Sequence, residues 1–152
     1  MNKDAIIRHK VGLKLSQVGM LSKVFAMQSF VNGECNITPE QYTVLNALSE
    51  SEWLYQRQFS AITVKVRANI TRIINILEKR GYIKKVVDTT SRKIHKIYIT
   101  EEGKKVRNKV LPIILNIWAM TSENISEDEM DKFIETLDKI KENLINKTTL
   151  QL

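Results

Sequence analysis

The chain has one cysteine, two histidines, two prolines and five glycines in 152 residues. One cysteine, Cys35, excludes an intramolecular disulfide framework. Two histidines, His9 and His95, with that lone thiol supply too few ligands for a structural zinc site. Few glycines and prolines point to long helices joined by short loops. No glycine-rich phosphate loop occurs, and no Ser/His/Asp, Cys/His or paired-carboxylate arrangement stands out. Neither an enzyme activity nor a cofactor is therefore expected. No apolar run reaches the roughly 18 residues of a membrane-spanning helix. The opening "MNKDAIIRHKVG" lacks the apolar core of a secretory signal, so a cytoplasmic location is expected and a membrane partner is not. No internal repeat or low-complexity segment is visible.

Charge is present, and it is unevenly spread. Lys and Arg exceed Asp and Glu by 7 overall. Residues 1–56 balance at five of each sign, residues 110–152 carry four basic against eight acidic, and residues 57–109 carry fifteen basic against four acidic. A basic middle third between a neutral and an acidic flank is the footprint of a polyanionic partner, nucleic acid first. A solvated basic face without a partner is the bland alternative.

Hydrophobic spacing orders the chain. Ile7, Val11, Leu15, Val18, Leu21 and Phe25 predict a helix over about 6–32. In "ITPEQYTVLNALSE", Thr38 is an N-cap, Pro39 suits the first helical position and Gln41 completes a capping box, with Tyr42, Leu45 and Leu48 on one face. An extended piece at Trp53 to Tyr55 leads to a short helix near 56–62, with Phe59 and Ile62 as its buried side. "VKVRANITRIINILEKRG" carries an apolar stripe of Val66, Ile70, Ile73, Ile74 and Leu77, and Gly81 is its stop. Opposite that stripe lie Ala68, Arg72, Asn75 and Lys79. Strand, hairpin and strand follow from Tyr82 to Ile99, with Ile83, Ile97 and Ile99 holding the hairpin to the helices. Thr100 caps a further helix, which Pro112 should kink or end. A last helix opens with a capping box, Ser126 with Glu129, and has Met130, Phe133, Ile134, Leu137, Ile140 and Leu144 as its stripe. The fold class is mainly α with a small β-wing: a winged helix-turn-helix over 38–100 between terminal helices.

A helix that reads the major groove of B-DNA needs an apolar back and a front of short or forked polar groups. The helix ending at Gly81 has that division. Arg67, Asn69, Thr71 and Arg72 are candidates for base or phosphate contact, Ala68 permits close approach, and Asn75 shares the face. Lys65, like Lys79, sits toward an end of the segment and suits a phosphate. The hairpin beside the helix has a cationic tip, "DTTSRK", whose Arg92 and Lys93 can reach the flanking backbone or the minor groove. His95 is read as a surface residue of the sheet. Any amphipathic helix also carries Arg and Asn outside, so a winged-helix protein-interaction module without specific DNA binding is the second reading.

"ITPEQYTVLNAL", "ITRIINILEKRGYIKK" and "DTTSRKIHKIYITEEG" resemble the MarR family of winged helix-turn-helix transcriptional regulators. The resemblance covers nearly the whole chain as a single domain, with 1–34 and 101–152 as a helical dimerisation region. The family's wing commonly reads Asp, two residues, then Asp-Arg-Arg; here Asp88, Ser91, Arg92 and Lys93 stand in those positions, and the second acid is missing. The resemblance implies a homodimeric repressor on a pseudo-palindromic double-stranded operator, with half-sites roughly 34–36 Å apart. It also implies a small-molecule effector between the terminal helices and the winged part, where Phe25, Tyr42 and Trp118, with Met120, are candidates that could equally be core. Some relatives sense oxidants through a cysteine in the first helix; Cys35 lies later and is read as an ordinary thiol.

Overall fold

The computed structural model describes residues 2–63 and 67–147, with the side chains of 60, 61, 63, 67, 68 and 91–93 outside the description. The order is α1 (Lys3–Asn32), α2 (Pro39–Ser49), β1 (Leu54–Tyr55), α3 (Gln56–Thr63), α4 (Arg67–Lys79), β2 (Ile83–Asp88), β3 (Ser91–Ile99), α5 (Glu101–Thr121) and α6 (Glu127–Lys147).

Local chemistry sets the helix ends. Thr38 Oγ1 accepts from the Gln41 N–H at 3.3 Å, and Gln41 Oε1 accepts from the Thr38 N–H at 3.2 Å, so the expected capping box closes. Ser126 and Glu129 make the same exchange before α6. After α4 the chain turns through Gly81 at φ +72°, a left-handed conformation that a side chain disfavours. There the Gly81 N–H bonds to Glu78 and the Tyr82 N–H to Leu77, which satisfies two end carbonyls. Thr100 caps α5 by accepting from the Gly103 N–H at 3.1 Å and donates its hydroxyl to the Gly81 carbonyl at 2.6 Å. The end of α4 and the start of α5 are thereby tied at one point.

The core lies in the winged part. Val44, Leu45 and Leu48 of α2, Phe59 of α3, Ile70, Ile73, Ile74 and Leu77 of α4, and Ile83 and Ile97 of the sheet are buried together, with Phe30, Val110 and Ile117 from α1 and α5. Ile62, expected inside, is exposed, so Phe59 alone anchors α3's described apolar face.

The sheet is wider than the expected two-stranded wing. Its order is β1-β3-β2, all antiparallel, with Leu54 opposite Ile97 and Tyr55 opposite Lys96. Across the hairpin Ile83 faces Ile99, Lys85 faces Ile97 and Val87 faces His95, and the register shifts between Val87 and Asp88. That shift adds twist at the tip. Val86 and Val87 are exposed because this far end of the hairpin extends past the helices.

Pro112 does not end its helix: α5 is one element through it. Proline lacks the N–H that would bond one turn back, and the helix bears that single loss. The terminal helices bury little within the chain. Phe30 is the one buried residue among those described in α1, and α6 has none.

Gly103 marks the tightest approach. A Cβ there would lie 2.1 Å from the Tyr82 carbonyl oxygen and 2.9 Å from Ile99. Gly103→Ala should therefore destabilise the fold by ~1–3 kcal/mol through overpacking, read as a lower urea midpoint. An unchanged midpoint would mean that the α5–wing joint relaxes freely.

Candidate nucleic-acid interface

Burial divides α4 cleanly. Ile70, Ile73, Ile74 and Leu77 face the core, while Asn69, Thr71, Arg72, Asn75 and Lys79 are exposed. Of the other proposed contacts, Lys65 lies outside the described residues. Arg67 and Ala68 belong to the first turn of α4, and Arg92 and Lys93 to β3, but their side chains lie outside the description. The exposed set presents amides and a guanidinium, groups able to pair bidentately with adenine and guanine edges.

Two of these residues also serve as struts. Thr71 Oγ1 accepts from Gln56 Nε2 of α3 at 2.6 Å, and Asn75 Oδ1 accepts from Lys85 Nζ of β2 at 2.9 Å. Lys85 is ion-paired with Glu78 at 2.7 Å as well. The exposed face of α4 is thus bonded on one side to the preceding helix and on the other to the wing.

A constellation that spacing could not show organises the wing. Asp88 is a buried carboxylate, 4% exposed. It accepts from the Thr90 N–H and the Thr90 hydroxyl, each at 3.0 Å, and from the Tyr55 hydroxyl. Tyr55 comes from β1, 33 positions earlier. Its ring meets Trp53 edge-on at 4.8 Å, and Lys96 Nζ lies 4.3 Å from the Trp53 ring. The Thr90 N–H first, then the Tyr55 hydroxyl, hold the Asp88 carboxyl at about 2, below its ordinary 3.8. The wing's remaining acid therefore braces the turn through Tyr55 and Thr90.

The other candidates separate. Phe25 borders a cleft between α1 and α5 with Ser29, Gly33, Ile113, Ile117 and Met120. Tyr42 is a core residue, edge-on to Phe30 at 6.3 Å, and Trp118 is exposed. Of the three, Phe25 is the one that borders that cleft. Cys35 packs against the core, and burial pushes its thiol up, away from the reactive thiolate. His95 is exposed on the sheet, as its alternation indicates.

Asp88 makes stability depend on acid. A carboxyl depressed in the fold stabilises it above its unfolded value and loses that contribution as pH falls through the folded value. Wild type should exceed Asp88→Asn in stability near neutrality, and the gap should shrink as pH falls from 3.8 toward about 2. Urea unfolding of both proteins across that range checks this; a gap independent of pH would contradict it.

Residues 36–94, from the loop before α2 into β3, match the model of the MarR family. An uncharacterized HTH-type transcriptional regulator of Bacillus subtilis, YybA, is 33% identical over 95 residues, which is 60% of this chain and 62% of that relative. The matched segment thus spans less than two thirds of that relative's length. BpsR of Bordetella bronchiseptica, solved in a study of how 6-hydroxynicotinic acid regulates its DNA binding, shares the fold with a TM-score of 0.78 at 19% identity, over 87% of this chain and 98% of BpsR. A mutant of MarR from Escherichia coli, complexed with operator DNA, superposes with a TM-score of 0.77 at 14% identity, over 86% of this chain and 93% of that one. The segment matched to the MarR family holds α2, α3, α4 and most of the wing, and the architecture around it is the winged helix-turn-helix fold of these solved regulators.

Proposed function

We propose that the protein is a sequence-specific transcriptional repressor that binds a pseudo-palindromic operator in double-stranded DNA as a homodimer. The observation that carries this reading is the exposed polar face of α4, held in one orientation by the core behind it and by struts to α3 and the wing. That the fold is shared with a MarR mutant solved in complex with operator DNA supports DNA as the partner. In this role Arg72, Asn69 and Arg67 meet base edges or phosphates beside Ala68, Thr71 and Asn75. Lys65, Arg92 and Lys93 add charge at the flanks. Such a protein works in the cytoplasm and needs no cofactor.

The homodimer rests on surface that one chain leaves uncovered. Met20 and Leu21 of α1, Trp118 of α5, and Phe133, Ile134 and Leu144 of α6 are all more than half exposed. Large apolar side chains left exposed on three helices favour a partner, and a second copy brings identical stripes. Small-molecule control is part of the proposal: the cleft at Phe25 opens between α1 and α5, beside the surface a partner would cover. A ligand there would bias the spacing of the two α4 helices.

Sedimentation at micromolar concentration should give a dimer; a 17.6 kDa species throughout would remove the two-half-site reading. For DNA, Arg72→Ala should cost ~1–3 kcal/mol on the best site and relax preference at one position per half-site, if that guanidinium reads a base. Arg92→Ala should weaken all duplexes and lower the salt slope by roughly 1–2 units, since a dimer loses two cations. Affinity against salt on specific and scrambled duplexes reads both effects, with circular dichroism as the folding control. Variants that fold and bind like wild type would favour the protein-interaction reading instead.

A further inference from the structure

A groove of about 420 Å³ lies where α3, β2 and β3 meet, lined by Tyr55, Gln56, Arg57, Lys85, Ile94 and His95. Two of its lining residues reach the recognition helix: Gln56 bonds to Thr71, and Lys85 bonds to Asn75. The groove is therefore the notch between the exposed face of α4 and the wing. Resting on the DNA-binding reading above, this position has a geometric consequence. With α4 in a major groove and the wing at the adjacent minor groove, the sugar-phosphate strand that separates those grooves must cross the notch.

We propose that the notch is a seat for a DNA backbone phosphate, with Arg57 and His95 as its donors. Lys85 is already paired with Glu78 and bonded to Asn75, so its charge is largely spent inside the protein. Arg57 has no salt bridge among the described residues. Its guanidinium carbon sits 5.3 Å from the centre of the Tyr55 ring. That ring is held in turn by the Asp88 hydrogen bond and by Trp53. An arginine laid on an anchored aromatic face keeps its planar fork of N–H groups free for a phosphate and loses less freedom on binding. His95 is exposed across the notch and offers a ring N–H. The wing brace thus has a second consequence: it fixes the platform under a phosphate contact.

The test is duplex affinity as a function of salt, on an operator-like and a scrambled sequence, for wild type, Arg57→Ala, Arg57→Lys and Tyr55→Leu. Arg57→Ala should lower the slope of log affinity against log salt by roughly 1–2 units, the share of two phosphates per dimer. The loss should be equal on both duplexes, because a backbone contact carries no sequence information. Arg57→Lys should keep the slope, which separates lost charge from lost fold. Tyr55→Leu should weaken binding in the wild-type background and weaken it by less once Arg57 is alanine, the remainder being the wing brace that Tyr55 gives Asp88; an equal loss in both backgrounds would mean that the ring does not serve Arg57. If wild type binds duplex and Arg57→Ala keeps its slope, the seat is wrong while the DNA reading stands. If folded wild type binds no duplex at low salt, both fall together.

Discussion

Ile70, Ile73, Ile74 and Leu77 are withdrawn from water on one side of α4, and that burial decides what the helix can present on the other. Each such side chain contributes about 1.5–3 kcal/mol when fully buried, so rotating α4 would forfeit more than any surface contact could return. The exposed row of Asn69, Arg72 and Asn75 is consequently fixed in direction before any ligand arrives. Gly81 and Thr100 complete the constraint. The left-handed turn ends the helix, and the threonine hydroxyl bonds that end to the start of α5. The end of α4 is thereby bonded to the start of α5, while Phe30, Val110 and Ile117 join the terminal helices to the same core.

The wing is organised by a different kind of force. Its tip lies beyond the apolar core, with Val86 and Val87 in solvent, so polar bonds must set its shape. Asp88 supplies them by accepting three hydrogen bonds, one from each polar group of Thr90 and one from Tyr55. A carboxylate so satisfied is stable without a paired cation, although Lys96 adds to its field. These bonds define the turn with Asp88 as the one acid between Tyr82 and Ile99. It also links β1, α3 and the hairpin into one unit around Tyr55.

What could be read from the sequence follows from the range of each interaction. Helix periodicity is local, so the buried and exposed faces of α4 were legible, as were the capping boxes at Thr38 and Ser126. The concentration of basic residues in 57–109 was legible by counting. β1 pairing with β3 was not, because two residues have no periodicity and the partner lies some forty positions on. Nor was the Tyr55–Asp88 bond, which needs the closed sheet to exist. Arg57 stood in an unremarkable run, "YQRQF", and gained meaning from the notch that the fold builds around it. Tyr42 and Trp118 differ in the same way: the family resemblance offered both as ligand-lining while their helical spacing favoured core, and the fold buries Tyr42 but leaves Trp118 exposed on the single chain.

Hydroxyl-radical footprinting of the promoter next to the protein's own gene tests the central claim most directly, because it reports which backbone positions the folded protein covers. Two α4 helices with flanking wings, related by a two-fold axis, should protect two symmetric patches about one helical turn apart, each with a minor-groove flank. A folded protein that leaves that promoter and genome-wide fragments evenly cleaved at low salt would contradict the account.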